Sequence, residues 1–140
     1  MTWVAIWLSG PSAAFADGGT VRFSERHGNY VITAFTSPTP LRAGPVDISV
    51  LVQDAASGEP ASDVAVVVRL NAIDQPQAVL TQSATAASAT NKLFRAALFE
   101  LPWAGRWRAE ISISGPAGPA ETGCELEVGD PLPAWLTLWP

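Results

Sequence analysis

From Trp107 to Ser114 apolar and polar residues alternate without a break. Trp107, Ala109, Ile111 and Ile113 take one phase and Arg108, Glu110 and Ser112 the other. This is the period of a strand with one buried face. Val46, Ile48, Val50 and Val52 alternate with Asp47, Ser49 and Gln53 in the same way. Further β-prone runs, bounded by Pro, Gly, Asn or Ser clusters, cover Thr20 to Arg26, Tyr30 to Thr36, Val64 to Leu70, Ala78 to Thr85, Lys92 to Leu101 and Glu121 to Val128. Val64 to Val68 is more uniformly apolar, which predicts a central strand. No long stretch runs at helical period. Seven or eight short strands with turn signals at this spacing predict an all-β, immunoglobulin-like antiparallel β-sandwich. A closed barrel is the alternative that the same rhythm permits.

The connecting segments carry their own signals. Asp54 to Pro60 has hairpin-loop composition, and the prolines of Gly115 to Pro119 cannot continue a ladder, so both predict exposed turns. Pro38 and Pro40 close the second run and predict an extended segment that passes between sheets before Leu41. Leu101 to Gly105 sets a Pro and Gly corner, with Trp103 inside it, ahead of Trp107. Thr81 to Thr90, rich in Ala, Ser and Thr, fits strand or loop equally.

The two ends differ from the middle. The first 16 residues hold no charged side chain and finish in Ala14-Phe15-Ala16, the small-x-small pattern of a signal peptidase site. Residues 1–16 are therefore expected to be a signal peptide, cleaved before Asp17, with residues 17–130 as the sandwich domain. Gly10-Pro11 interrupts this apolar run early, whereas a membrane anchor needs roughly 17 to 25 apolar residues. Residues 131–140 carry no charge and place Trp135 and Trp139 four apart, on one face if helical. Ten helical residues reach only about 15 Å, half a bilayer core. The tail therefore reads either as a juxtamembrane segment with interfacial tryptophans or as an apolar patch that docks on its own domain.

Composition narrows the function. Of 140 residues 48% are apolar, enough for one well-filled core. The formal net charge of −5 and the lack of a basic run argue against a nucleic-acid partner. There is neither a Walker loop nor a dinucleotide fingerprint, so no nucleotide partner and no cofactor are expected. Gly-x-Ser-x-Gly is missing, and one histidine would have to serve every hydrolase role, so enzymatic activity and catalytic residues are not expected.

Copper sites draw on His, Met and Cys. Here His27, beside the turn pair Gly28-Asn29, is the single histidine and the one weak metal candidate. Cys124 shares a phase with Thr122, Leu126 and Val128 and reads as a core residue. Glu121, Glu125 and Glu127 take the outward phase, as a solvated acidic face. What remains for binding are surface aromatics and cations: Trp103 and Arg106 at the corner, Trp135 and Trp139 in the tail, and the Asn91-Lys92-Leu93-Phe94 approach to a strand. A half-exposed tryptophan beside arginine suits a protein interface, although tryptophan packing at a sandwich end is the plainer use.

The succession Thr36 to Val50, then Asp54 to Pro60, then Leu101-Pro-Trp-Ala-Gly-Arg-Trp107 resembles the small exported sandwich domains called YtkA-like or FixH-like, which are distantly similar in fold to CopC copper carriers. The likeness runs from about Gly19 to Pro133 and rests on strand and turn punctuation. It implies a periplasmic or extracytoplasmic location, often with a transmembrane helix after the sandwich, and an accessory role in respiratory metalloprotein assembly. CopC-type sites use histidines near the mature N-terminus, and this chain has His27 alone there, so no ligand carries over. The expected function is a non-enzymatic, membrane-tethered accessory or interaction module of the bacterial envelope, held to an envelope protein partner and, through the tail, to the membrane. The alternative is a periplasmic copper-binding carrier using His27, the mature amine and nearby carboxylates.

Overall fold

The computed structural model describes residues 20–75, 77–89 and 93–133, with the backbone alone for Thr20 and Val21. The expected signal peptide and cleavage point, Asn91, Lys92, Trp135 and Trp139 lie outside the described residues. Eight strands follow one another: β1 (Thr20–His27), β2 (Tyr30–Ser37), β3 (Gly44–Asp54), β4 (Ala65–Ala72), β5 (Val79–Ala84), β6 (Arg95–Leu101), β7 (Gly105–Ser114) and β8 (Ala120–Val128). They form two antiparallel sheets in the orders β1-β2-β3-β6 and β5-β4-β7-β8. The protein is an immunoglobulin-like antiparallel β-sandwich, not the closed barrel.

Period-2 patterning places the core between the sheets. Ile32, Ile48, Val50, Val52, Val66, Val68, Leu70, Phe99, Trp107, Ile111, Ile113 and Leu126 are all buried there. β4 is interior to its sheet, as expected, yet it alternates: Ala65, Val67 and Arg69 face out while Val66, Val68 and Leu70 face in. The polar side chain of Thr36 is buried at 2% exposure. A register shift between Val21 and Phe23 frees Arg22 from the ladder, and its Nε donates to Thr36 Oγ1 at 2.6 Å. The bulge thus satisfies a hydroxyl that would otherwise cost free energy in the core.

One connection is as read from the sequence and one differs. Asp54 to Pro60 is the exposed turn expected: Gln53 pairs antiparallel with Pro60, the Asp54 N–H donates to the Glu59 carbonyl and the Ala61 N–H to the Val52 carbonyl, after which the chain leaves for β4 in the other sheet. Asp54 Oδ1 accepts the amides of Ala56 and Ser57 at 2.9 Å each, an Asx-type turn that reverses the chain before it crosses. The Pro38 and Pro40 segment does reach the other sheet, since Leu41 to Ala43 bond the backbone of Gly129, but it returns to β3, the neighbour of β2. Both X-Pro bonds, Ser37-Pro38 and Thr39-Pro40, are cis. The β1–β2 turn needs Gly28, whose φ of +59° is that of the first central position of a type II′ turn. The expected strand at Lys92 starts instead at Arg95, and the ambiguous Thr81 to Thr90 run is strand up to Ala84.

Candidate functional site

The corner between β6 and β7 is built on Trp107. Pro102 ends the β6 ladder, and Gly105, at φ +130°, turns the chain into β7. Trp107 then points inward and is wholly buried at one end of the core. Its Nε1–H donates to the Trp103 carbonyl at 3.2 Å. The two rings lie 5.8 Å apart with 32° between their planes. Trp103 therefore covers the end of the core and keeps 37% of its surface in water.

Arg106 takes the opposite phase of β7. Its guanidinium lies 3.9 Å from Glu125 on the outer face of the second sheet, where Arg108 meets Glu110 at 3.5 Å and Arg69 meets Glu110 at 4.0 Å. Trp103 and Arg106 thus share a strand end but present two different surfaces, a core cap and a charged ladder. A groove of about 420 Å³ at this end runs over Leu41 and Val128 between Arg42, Arg106, Glu127 and Asp130. Leu132, just beyond it, is 46% exposed.

His27 sits at the other end of the sandwich, in the β1–β2 turn, where Tyr30 pairs with Asp54. Its Nε2 is 2.8 Å from Glu25 Oε2, and both side chains reach water. Successive residues of one phase on a strand account for this pair. Among the described residues no group of three or more His, Cys, Asp or Glu gathers as metal ligands would. Glu121, Glu125 and Glu127 are exposed on β8. Cys124 keeps the inward phase but is half-buried, because β8 is an edge strand with a core neighbour on one side alone. Burial pushes its thiol up from the usual range, more than the nearby Arg22 and Arg108 pull it down.

A second surface lies on the long side where β5 and β6 are neighbouring edges. They touch as strands at one point, the pair Thr85 and Ala96. Beyond it they part around a groove of about 700 Å³, lined among others by Asp47, Val79, Thr81, Leu98, Phe99 and Glu100. Val79 and Leu98 are 41% and 57% exposed. The sequence held one sign of this surface: Leu98 is apolar in the outward phase set by Ala97, Phe99 and Leu101.

No family model matches the chain, and no curated protein matches it. Among solved structures it is similar to the PKD domain from human VPS10 domain-containing receptor SorCS2, at 12% identity and a TM-score of 0.40, over 94% of this chain and 100% of that one.

Proposed function

We propose that the chain is a non-enzymatic accessory or interaction module, exported and tethered at the outer face of a cytoplasmic membrane, in the manner of YtkA-like and FixH-like domains. The observation that carries the reading is Trp103: a large aromatic ring held in place by a buried partner, with 37% of its surface still open to solvent. A side chain so fixed loses little conformational freedom on binding, and tryptophan is enriched among residues that dominate interfaces. Arg42, in the groove at the same strand end, adds a donor of a polar rim. The small-x-small site at Ala14 to Ala16 and the uncharged, tryptophan-bearing residues 131–140 support export and tethering.

The test is photo-crosslinking in the envelope of the native host with the full chain. Trp103→Ala is expected to reduce partner capture at least tenfold, and Trp135→Ala to release the protein from the membrane fraction, while thermal unfolding shows that both variants fold. Unchanged capture and unchanged fractionation in both variants overturn the reading.

A further inference from the structure

We propose that the slot between β5 and β6 receives an extended strand from a partner protein, apolar at alternate positions and carrying Lys or Arg between them. At the mouth of the slot, Thr85 and Ala96 exchange both backbone hydrogen bonds, each 3.0 Å long. The N–H and C=O of one residue leave a strand on the same side, and successive residues alternate. The backbone groups of Leu98 and Glu100 on β6, and of Thr81 and Ser83 on β5, therefore face the slot. The opposite phase is used elsewhere, as when the Ala78 carbonyl accepts from Ala72 at the β4 side. Continued in the register of Thr85 and Ala96, the ladder would join Ser83 to Leu98 and Thr81 to Glu100. The strands instead diverge, and among the described residues no further rung of this ladder forms; Thr81, Leu98 and Glu100 line the groove that opens.

Edge strands are ordinarily protected by lysine, proline, a bulge or a covering loop. Here the exposed side chains along the two edges include Val79 and Leu98, which are apolar. An added strand would complete the main-chain hydrogen bonds, turning its apolar phase inward toward Phe99 and its cationic phase outward, where the stems of Lys or Arg would lie along Val79 and Leu98 and their heads beside Asp47 and Glu100, the physics of β-augmentation. The charge selects the occupant. Both ionisable groups lining the slot, Asp47 and Glu100, are carboxylates, so a cationic strand is favoured. A second copy of this chain, with a net charge of −5, is a poorer match. The proposal extends the interaction reading to a surface other than Trp103. Persistent partner capture with failed peptide binding would overturn the slot alone.

The probe is fluorescein-labelled (Lys-Val)3, titrated with the full chain and followed by anisotropy. Saturable binding is expected, at least tenfold weaker for (Glu-Val)3 and for (Lys-Val)3 methylated at alternate amide nitrogens. Glu100→Lys, on an exposed side chain, should reverse the charge preference. Thr81→Pro, which removes an N–H facing the slot, should weaken both peptides. The two variants act by different routes, so a folding failure in one leaves the other decisive. Equal affinity for the two peptides, indifference to N-methylation, or no saturable binding at millimolar concentration overturns the proposal. Concentration-dependent self-association that Leu98→Lys abolishes would overturn it too, by giving the slot to a second copy.

Discussion

Replacing Trp103 with alanine measures how firmly the exposed ring is held by the core. A little under two thirds of its surface is covered, since 37% is exposed. A tryptophan buries up to about 250 Å², so about 150 Å² leaves water here, worth about 4 kcal/mol at 25 cal/mol/Å². Compactness of the denatured chain and the methyl that alanine retains bring the expected loss to about 2–3 kcal/mol. Trp107→Leu, at a site with no exposure, should cost about 2–4 kcal/mol by the scale of large-to-small core changes. Because the two rings pack together, the double variant should lose about 0.5–1.5 kcal/mol less than the sum of the single variants. Urea unfolding followed by far-ultraviolet circular dichroism gives all four corners of the cycle. A Trp103→Ala loss below about 0.5 kcal/mol with no coupling would refute the capping argument, because contacting rings are worth at least that much.

Three further outcomes are expected. Gly123→Ala places a Cβ 2.7 Å from the Ala109 carbonyl oxygen and 3.2 Å from an Arg108 guanidinium nitrogen, so it should cost about 1–3 kcal/mol in urea unfolding through overpacking against backbone. The amides of Ser57 and Ala56, with the Ser57 hydroxyl, hold the Asp54 carboxyl below the usual range; its folded pKa is depressed, so its stabilisation is present above the ordinary carboxylate pKa and lost as pH falls through the folded value. Asp54→Ala should therefore melt below the parent chain at pH 7, with a deficit that closes on acidification in a pH series of thermal melts. The Cys124 thiol, pushed up by burial, should react with iodoacetamide at pH 8 more slowly than the same thiol in urea-unfolded protein, as thiolate controls the rate.

The strands were legible because both faces of the sandwich differ in polarity, so a period of two marks them directly. Val46 to Val52 and Trp107 to Ser114 each announce the inward phase residue by residue. Information about partners across space was not local in this way. The loop after Asp54 has the composition of an exposed turn and forms one, yet the sheet that the chain enters next depends on β4 pairing with β7, more than 30 residues away by register. Cys124 reads as core from its phase, and its partial exposure follows from β8 lying at an edge, which no feature of Glu121 to Val128 records. The parting of β5 from β6 likewise follows from two independent ladders, β4 to β5 and β3 to β6. Of the candidate site, Trp103 and Arg106 were visible as residue types, while their separation onto two surfaces required the corner itself.

The two sheets leave different kinds of surface for a partner. On the outer face of β4, β7 and β8, Arg69, Arg106 and Arg108 each lie within 4.0 Å of a glutamate. Such exposed pairs contribute little stability, commonly under about 1 kcal/mol each, but they leave few unmet charges for a ligand to satisfy. A partner binding there would have to displace existing pairs and their hydration. β5 and β6 are sheet ends that pair with each other, among the described residues, only at Thr85 and Ala96, and the flanking Val79 and Leu98 are already exposed. Binding there exchanges solvent for a ladder and covers apolar surface at once. Sheet edges beside exposed hydrophobics are a stronger reason for association than a self-neutralised charge lattice, so the strand edges and the Trp103 cap, rather than the charged face, are where this domain has the most to gain from a partner.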